Sequence, residues 1–420
     1  MNPDLIQVTP MVDLTLITSC YLCDSSDLKI IFSTNNICLT GFFPKKDDPD
    51  PLATPITLVR CADCYNVQMV ERVNPDLMFN DYWYRSSTTN SMKAHLRKHL
   101  ENQPIGSLLD IGCNDGTLMK FADELGFKSV GIDPSIAVQD ADEQVKSNII
   151  NNYFNSDTAE ECLKKNEDKP FDLITVICTF YDVPTPVDFL RAMKRLLAVP
   201  NGRAIVEVNY AKDFFERGNV DMLGQEHLIY YFIKTFKTVC LKAGLYLNDA
   251  ETNDMNGGNI VFYVSGQMGD TQRLKELEEK EKNFLATFDF NNFQSKMREE
   301  FQNFYSTLLK IRSEGKSIKI LGASTRGAFI AQYMKLDSIL ISSAVDLQIN
   351  KLDRRLPGTD IIIEHQDNHV EPDYYLVMPY QFKDEILKRY KDYMNKGNKL
   401  IFYRPIFAIY SSEANYENIY

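Results

Sequence analysis

The sequence has no apolar run close to the roughly 18 residues that a membrane-spanning helix needs, and it has no excess of basic charge. Its 46 Lys and Arg stand against 58 Asp and Glu, a formal net charge of −12. Nucleic acid and anionic membrane surfaces both require a basic face, so neither is an expected partner. A local basic pocket for one phosphorylated ligand stays open. One Trp, 19 Gly and 17 Pro in 420 residues exclude collagen-like and low-complexity readings. The first residues, MNPDLIQVTPMV, have neither a basic n-region nor an apolar h-region, which predicts no secretion signal and a cytoplasmic chain. What is present is ordinary globular material, 44% hydrophobic and 25% charged, long enough for two or three domains.

The 9 cysteines are an odd number in a long chain, which argues against a disulfide framework. Four of them form two C-x-x-C pairs, Cys20 with Cys23 and Cys61 with Cys64. Each knuckle can present two thiolates to one tetrahedral ion, and two knuckles close the shell. The chain around them is short and extended, with a charged, Pro-rich loop (KKDDPDP), and holds too little apolar material for its own core. A structural zinc would supply folding energy on the order of 10–16 kcal/mol. The spacing therefore predicts a zinc-binding segment over 1–80.

The segment GSLLDIGCNDGTLMKFADELGFKSVGIDPS reads as strand, Gly-rich turn, helix, strand. Ser107–Ile111 is a short apolar run, Leu118, Phe121, Ala122 and Leu125 recur at helical spacing, and the second strand ends at Asp133. Glycines in such a turn let backbone approach a ligand, and an acidic strand end can accept hydrogen bonds from ribose hydroxyls. The form D-x-G-x-x-x-G, with Asp110, Gly112 and Gly116, resembles motif I of class I S-adenosylmethionine methyltransferases. An acid before the turn suits a cofactor that carries an amino-acid ammonium and no pyrophosphate. Asp110, Gly112, Asn114, Asp115, Gly116 and Asp133 are the expected cofactor-binding residues. Further strands (FDLITVICTF, RAIVEVNY, NGGNIVFYVSG) and amphipathic helices complete a doubly wound α/β domain over 81–268, the last of these strands closing the sheet.

Residues 269–314 carry dense charge with apolar positions three and four apart, and read as a solvated helix pair linking two domains. SIKILGASTRGAFIAQYM then repeats the strand–turn–helix form and opens a second Rossmann-like domain over 315–420. Its turn, with Ser324, Thr325 and Arg326, reads as a phosphate cradle.

A paired-knuckle segment, a methyltransferase core and a C-terminal Rossmann-like domain, in that order, resemble the nucleotide-sugar C-methyltransferases, which methylate a 4-keto deoxysugar at carbon 3. The likeness runs from about Cys20 to Pro405. CADCYNVQ, YWYRSSTTNSMKAH, LLDIGCNDGTLM, VEV with QEHLIYY, GASTRGAF and LPGTDIII each look like a piece of the family pattern. The chain departs from that pattern in four places. Cys178-Thr-Phe-Tyr-Asp182 stands where a His is usual, Gly224 where Tyr is usual, Arg326 where Lys is usual and Asn209 where Pro is usual. The resemblance implies His227 as general base, Glu226 as its neighbour, Tyr84 as a donor to the sugar, and Tyr82 with Ser324, Thr325 and Arg326 on the substrate. It also implies a nucleotide-linked deoxysugar substrate, adenosylmethionine as methyl donor, and a monomer or weak homo-oligomer. Methylation at a sugar oxygen or nitrogen, and a non-catalytic subunit that binds cofactor and sugar, are the alternatives.

Overall fold

The computed structural model describes residues 13–80 and 84–419. Its central layer is a seven-stranded sheet of β1 (Ser107–Ile111), β2 (Lys128–Ile132), β3 (Ile149–Ile150), β4 (Leu173–Ile177), β5 (Arg203–Asn209), β6 (Tyr246–Asn253) and β7 (Asn259–Ser265). The order across the sheet is β3-β2-β1-β4-β5-β7-β6, with β7 antiparallel to both neighbours. The strand that ends the domain in sequence thus lies inside the sheet rather than at its edge. The β1–β5 order is that of a doubly wound nucleotide-binding sheet, which puts ligands at the carboxyl ends of β1, β2 and β4, where the order reverses.

Helices cover both faces, as near-continuous apolar parallel strands require. On one face α1 (Asn90–Leu100) and α2 (Thr117–Leu125) bury Leu96, Leu100, Leu118 and Ala122 against Leu108 and Leu173. On the other, α3 (Ser156–Lys165), α4 (Pro186–Leu196) and α6 (Ile233–Ala243) pack on Ile174, Val206 and Phe262. Between β5 and α6 lie α5 (Ala211–Arg217) and a loop that carries His227.

The N-terminal segment is built from short strands. Leu28–Ser33, Thr57–Cys61 and Val67–Met69 form an antiparallel sheet whose fourth strand, Ile229–Tyr230, comes from the central domain. Its apolar residues Phe32, Ile56, Leu58 and Met69 join the core of the C-terminal half, which is how a segment with little apolar content stays packed.

The charged stretch after β7 forms α7 (Gln272–Thr287) and α8 (Phe293–Ser313). The expected solvated pair is half-buried. Phe293, Met297, Phe301, Phe304 and Leu308 of α8 enter the core of the next domain. Glu281 of α7 is buried and accepts the Ile233 and Lys234 N–H groups at 2.6 and 2.9 Å, which satisfies the open donors at the start of α6. A second sheet of β8 (Ile318–Leu321), β9 (Ala344–Asp346), β10 (Ile363–His365), β11 (Tyr374–Val377), β12 (Lys399–Phe402), β13 (Ala408–Tyr410) and β14 (Tyr416–Asn418) has the order β10-β9-β8-β11-β12-β13-β14. It is parallel from β10 to β12, and α9 (Thr325–Tyr333) follows β8 as α2 follows β1. Among the described residues, no helix is long and apolar enough to cross a membrane.

Candidate active site

The carboxyl ends of β1, β2 and β4 border a cavity of about 560 Å³, within the range of small-molecule sites. Gly112 follows β1 at a φ of 78°, and a Cβ there would stand 2.1 Å from Thr179 Oγ1, so only glycine fits. The turn is pinned to β2 by Gly112 N–H donating to Ile132 O at 2.8 Å. Asn114 N–H donates to Asp133 Oδ2 at 2.9 Å. Asp133 Oδ1 accepts from Ser135 N and Oγ at 2.8 and 2.5 Å. Asp133 therefore fixes the turn and faces the cavity at once.

Parallel pairing sets Thr175 beside Asp110, and its hydroxyl donates to Asp110 Oδ1 at 2.7 Å. Asp110 is only 4% exposed. Burial pushes its carboxyl up to about 7, with the Thr175 bond pulling down and Asp133 pushing further up. Asp110, Gly112, Asn114 and Asp133 all line the cavity. Asp115 and Gly116 do not. Asp115 accepts from Thr117 Oγ1 at 2.6 Å and from Ser87 N at 3.0 Å, while Gly116, at a φ of 70°, begins α2. They shape the turn rather than its inner surface. Asn114 holds the preceding segment through Ser86 N–H on its Oδ1 at 3.0 Å and its own amide on Tyr84 O at 3.2 Å.

Tyr84, Glu226 and His227 line the same cavity. His227 Nδ1 lies 2.7 Å from Met222 O, and a carbonyl can only accept, so Nδ1 carries the proton. The neutral ring then presents Nε2 as its acceptor. Tyr181 stacks edge-on to the ring at 4.4 Å. Glu226 packs against Gly224, where a Cβ would lie 2.5 Å from Oε2, so the carboxylate fills the space a side chain at 224 would take. Tyr82 lies outside the described residues.

Of the C-terminal turn, Thr325 and Arg326 reach the cavity. Ser324 instead caps α9, its Oγ accepting from Gly327 N at 3.0 Å. Arg326 is committed elsewhere than expected. Its Nε and a terminal nitrogen sit 2.7 and 2.5 Å from Asp221 Oδ2, another nitrogen donates to Asn256 O at 2.9 Å, and a further bond runs to Tyr380 Oη. Asp221 is fully buried and neutralises the guanidinium.

Cys20, Cys23, Cys61 and Cys64 come together with all sulfurs within 4.8 Å of one another. Cys20 Sγ is 3.5 Å from Cys64 Sγ, and Cys23 Sγ is 3.6 Å from Cys61 Sγ. Bonds of about 2.3 Å to a tetrahedral ion would separate sulfurs by about 3.8 Å, so the four thiols fit such an ion. His95 and His99 had no expected role, yet both Nε2 atoms lie 2.7 Å from Glu207 Oε2. Asn253 and Asn259 amides donate to Glu207 Oε1 at 3.1 and 2.8 Å. Against the upward push of burial, bonds and charge from the two imidazoles hold Glu207 well below the usual carboxylate range. With four donors satisfied it is a brace that ties α1 to β5 and β7. The i, i+4 spacing of the histidines is the one trace of it in the sequence.

Residues 84–249 match the family model of a methyltransferase domain, and residues 254–405 that of a C-methyltransferase C-terminal domain. The C-methyltransferase NovU of Streptomyces niveus is 24% identical over 415 residues, covering 95% of this chain and 98% of that protein. A tRNA U34 carboxymethyltransferase of Nautilia profundicola is 30% identical over 169 residues, 39% of this chain and 53% of that protein. An S-adenosylmethionine-dependent methyltransferase from Clostridium acetobutylicum superimposes over 44% of this chain and 94% of its own, with 14% identity and a TM-score of 0.33. The turn geometry, the sheet order, and two adjoining domain matches inside a near full-length likeness agree: the chain carries a class I methyltransferase domain joined to a C-methyltransferase C-terminal domain.

Proposed function

We propose that the protein transfers a methyl group from adenosylmethionine to carbon 3 of a nucleotide-linked 4-keto deoxysugar. The observation that carries this reading is His227, its Nδ1 proton fixed on Met222 O and its Nε2 open in the wall of the cavity that Asp110 and Asp133 also line. A carbon next to a ketone is acidic enough for a positioned neutral imidazole to deprotonate. Asp133 would accept the ribose hydroxyls, and Asp110, a desolvated carboxyl with one donor, suits the cofactor's ammonium. Adenosylmethionine supplies the electrophilic methyl carbon and leaves as the thioether. Tyr84, on the cavity wall, would donate to a sugar oxygen, and Thr325 and Arg326 would border the nucleotide end of the substrate. Cys20, Cys23, Cys61 and Cys64 would hold one structural zinc, four thiolates leaving no open position for chemistry.

The test uses labelled adenosylmethionine and a panel of nucleotide keto- and amino-sugars. The expected product is labelled at carbon. With adenosylhomocysteine in place of donor, deuterium from solvent should enter the carbon next to the ketone. Label found only on oxygen or nitrogen, with no exchange at carbon, would overturn the reading.

A further inference from the structure

Asp182 ends the short turn Phe180–Asp182 after β4 and lies in the cavity wall. Its Oδ1 is buried and has no hydrogen-bond partner among the described residues. A negative charge on an oxygen so placed is strongly disfavoured, whereas a buried O–H only needs an acceptor. The groups around it deepen the asymmetry. Burial, and then the charge of Glu226, hold the Asp182 carboxyl well above the usual range. Tyr230 and Cys178 face it as well, and its charge would in turn raise both. His227 lies next to Glu226 with its Nδ1 side turned to Met222 O, so it is no donor to Asp182 there. A buried carboxyl with a second acid beside it keeps its proton.

We infer that Asp182 is a catalytic residue of this site, a neutral carboxyl that donates a hydrogen bond to the substrate oxygen on which negative charge builds while His227 removes the adjacent carbon-bound proton. This role rests on the C-methylation reading above. The electron pair of the broken C–H bond passes to the oxygen as the proton goes to His227 Nε2. It returns as the new carbon–carbon bond forms to the methyl, the methyl–sulfur pair leaving with sulfur. Asp182 keeps its proton throughout. Glu226, next to His227 in the chain, stabilises the imidazolium that results.

Asp182→Asn keeps a donor and Asp182→Ala removes it, so the pair separates donation from proton abstraction. With a nucleotide 4-keto sugar, Asp182→Ala should slow exchange at carbon by about 10²–10³-fold, the loss typical of one oxyanion donor. Asp182→Asn should keep rates within about tenfold of wild type. Unchanged adenosylhomocysteine affinity confirms that both variants fold. A substrate-independent readout is the infrared difference spectrum of the full chain, wild type minus Asp182→Asn near pH 7, where a neutral carboxyl band should appear, the Asp110 contribution being common to both. The inference fails if the asparagine variant is as impaired as the alanine one, if alanine leaves exchange intact, or if the difference spectrum shows no such band. Label on oxygen with no carbon exchange would remove the C-methylation reading instead. The infrared band separates these cases, surviving the second failure but not a fault in the assignment of Asp182.

Discussion

The state of Asp110 makes cofactor binding depend on pH in a direction that can be worked out. Its carboxyl is buried on the cavity wall, and in the ligand-free chain burial pushes it up to about 7. At pH 6 about nine-tenths of the molecules would carry its proton. In the proposed pose the cofactor's ammonium lies beside it and favours the carboxylate, so binding should lower its pKa and expel close to one proton. Affinity should therefore rise about tenfold per pH unit up to about 7. The ligand's own α-amino group, with an ordinary pKa of about 7.7–8.0, loses its charge above that. The optimum falls between the two. Calorimetry with adenosylhomocysteine at pH 6, in two buffers of different ionisation enthalpy, counts the protons directly. Asp110→Asn should abolish the release and weaken binding at pH 7.5 by roughly 10–100-fold, the equivalent of a hydrogen bond to a charged group. The same group has a stability signature. Between about pH 4 and 7 the folded chain holds a proton that the unfolded chain has released, so the ligand-free protein should lose stability as pH rises through that window, and Asp110→Asn should lose this slope. No proton release at pH 6, or the same release in the asparagine variant, would refute the reasoning.

Elemental analysis of reduced protein should find one equivalent of zinc, and Cys61→Ser should lose it and expose residues 13–73 to proteolysis while adenosylhomocysteine still binds. Asp133→Ala should weaken cofactor affinity by about 1.5–3 kcal/mol in calorimetry, since it removes the expected ribose acceptor. His227→Asn should reduce turnover about 10²–10⁴-fold with a cognate sugar, with cofactor affinity unchanged. Breaking the buried Arg326–Asp221 pair from one side, in Arg326→Met or Asp221→Asn, should cost about 3–5 kcal/mol in denaturant unfolding. Wild-type stability in both would show that the guanidinium is available for ligand.

What the sequence made legible is local. The turn after β1 declares itself through Gly112, the acids on either side and the helical spacing of α2, because backbone conformation and strand ends depend on neighbours in the chain. The paired cysteines are legible for the same reason, each knuckle being four residues long. The C-terminal turn shows the limit of that reasoning. Ser324, Thr325 and Arg326 have the form of a phosphate cradle, but Asp221, far away in sequence, takes the cation. The same blindness hid the brace at Glu207, whose four donors come from α1, β6 and β7. It also hid Asp182, which reads as one more acid in a turn until the fold shows that its Oδ1 is buried with no partner among the described residues. The place of β7 inside the sheet is likewise a matter of topology, on which strand propensity is silent.

The segment from Gly218 to Tyr230 explains why three domains belong to one site. It is a loop with little regular structure, yet it must hold His227 to hydrogen-bond precision. Each flanking domain grips it at different points. From the C-terminal domain, Arg404 Nε donates to Gly218 O at 2.9 Å, while Arg326 and Tyr403 hold Asp221, the hydroxyl at 3.2 Å. On the N-terminal side, Gln225 donates to Ile37 O at 2.8 Å, and Ile229–Tyr230 pairs with Val67 and Gln68 as a strand of that sheet. Between these grips Tyr230 Oη donates to Met222 O at 3.0 Å, the same carbonyl that sets the His227 tautomer. A loop imidazole fixed in this way pays little ordering entropy when substrate arrives. The cofactor turn, by contrast, is built from β1, β2 and β4 of one sheet. The division is physical: the central domain can fold the proposed cofactor site from its own strands, whereas the proposed base takes its position from contacts that the two outer domains supply.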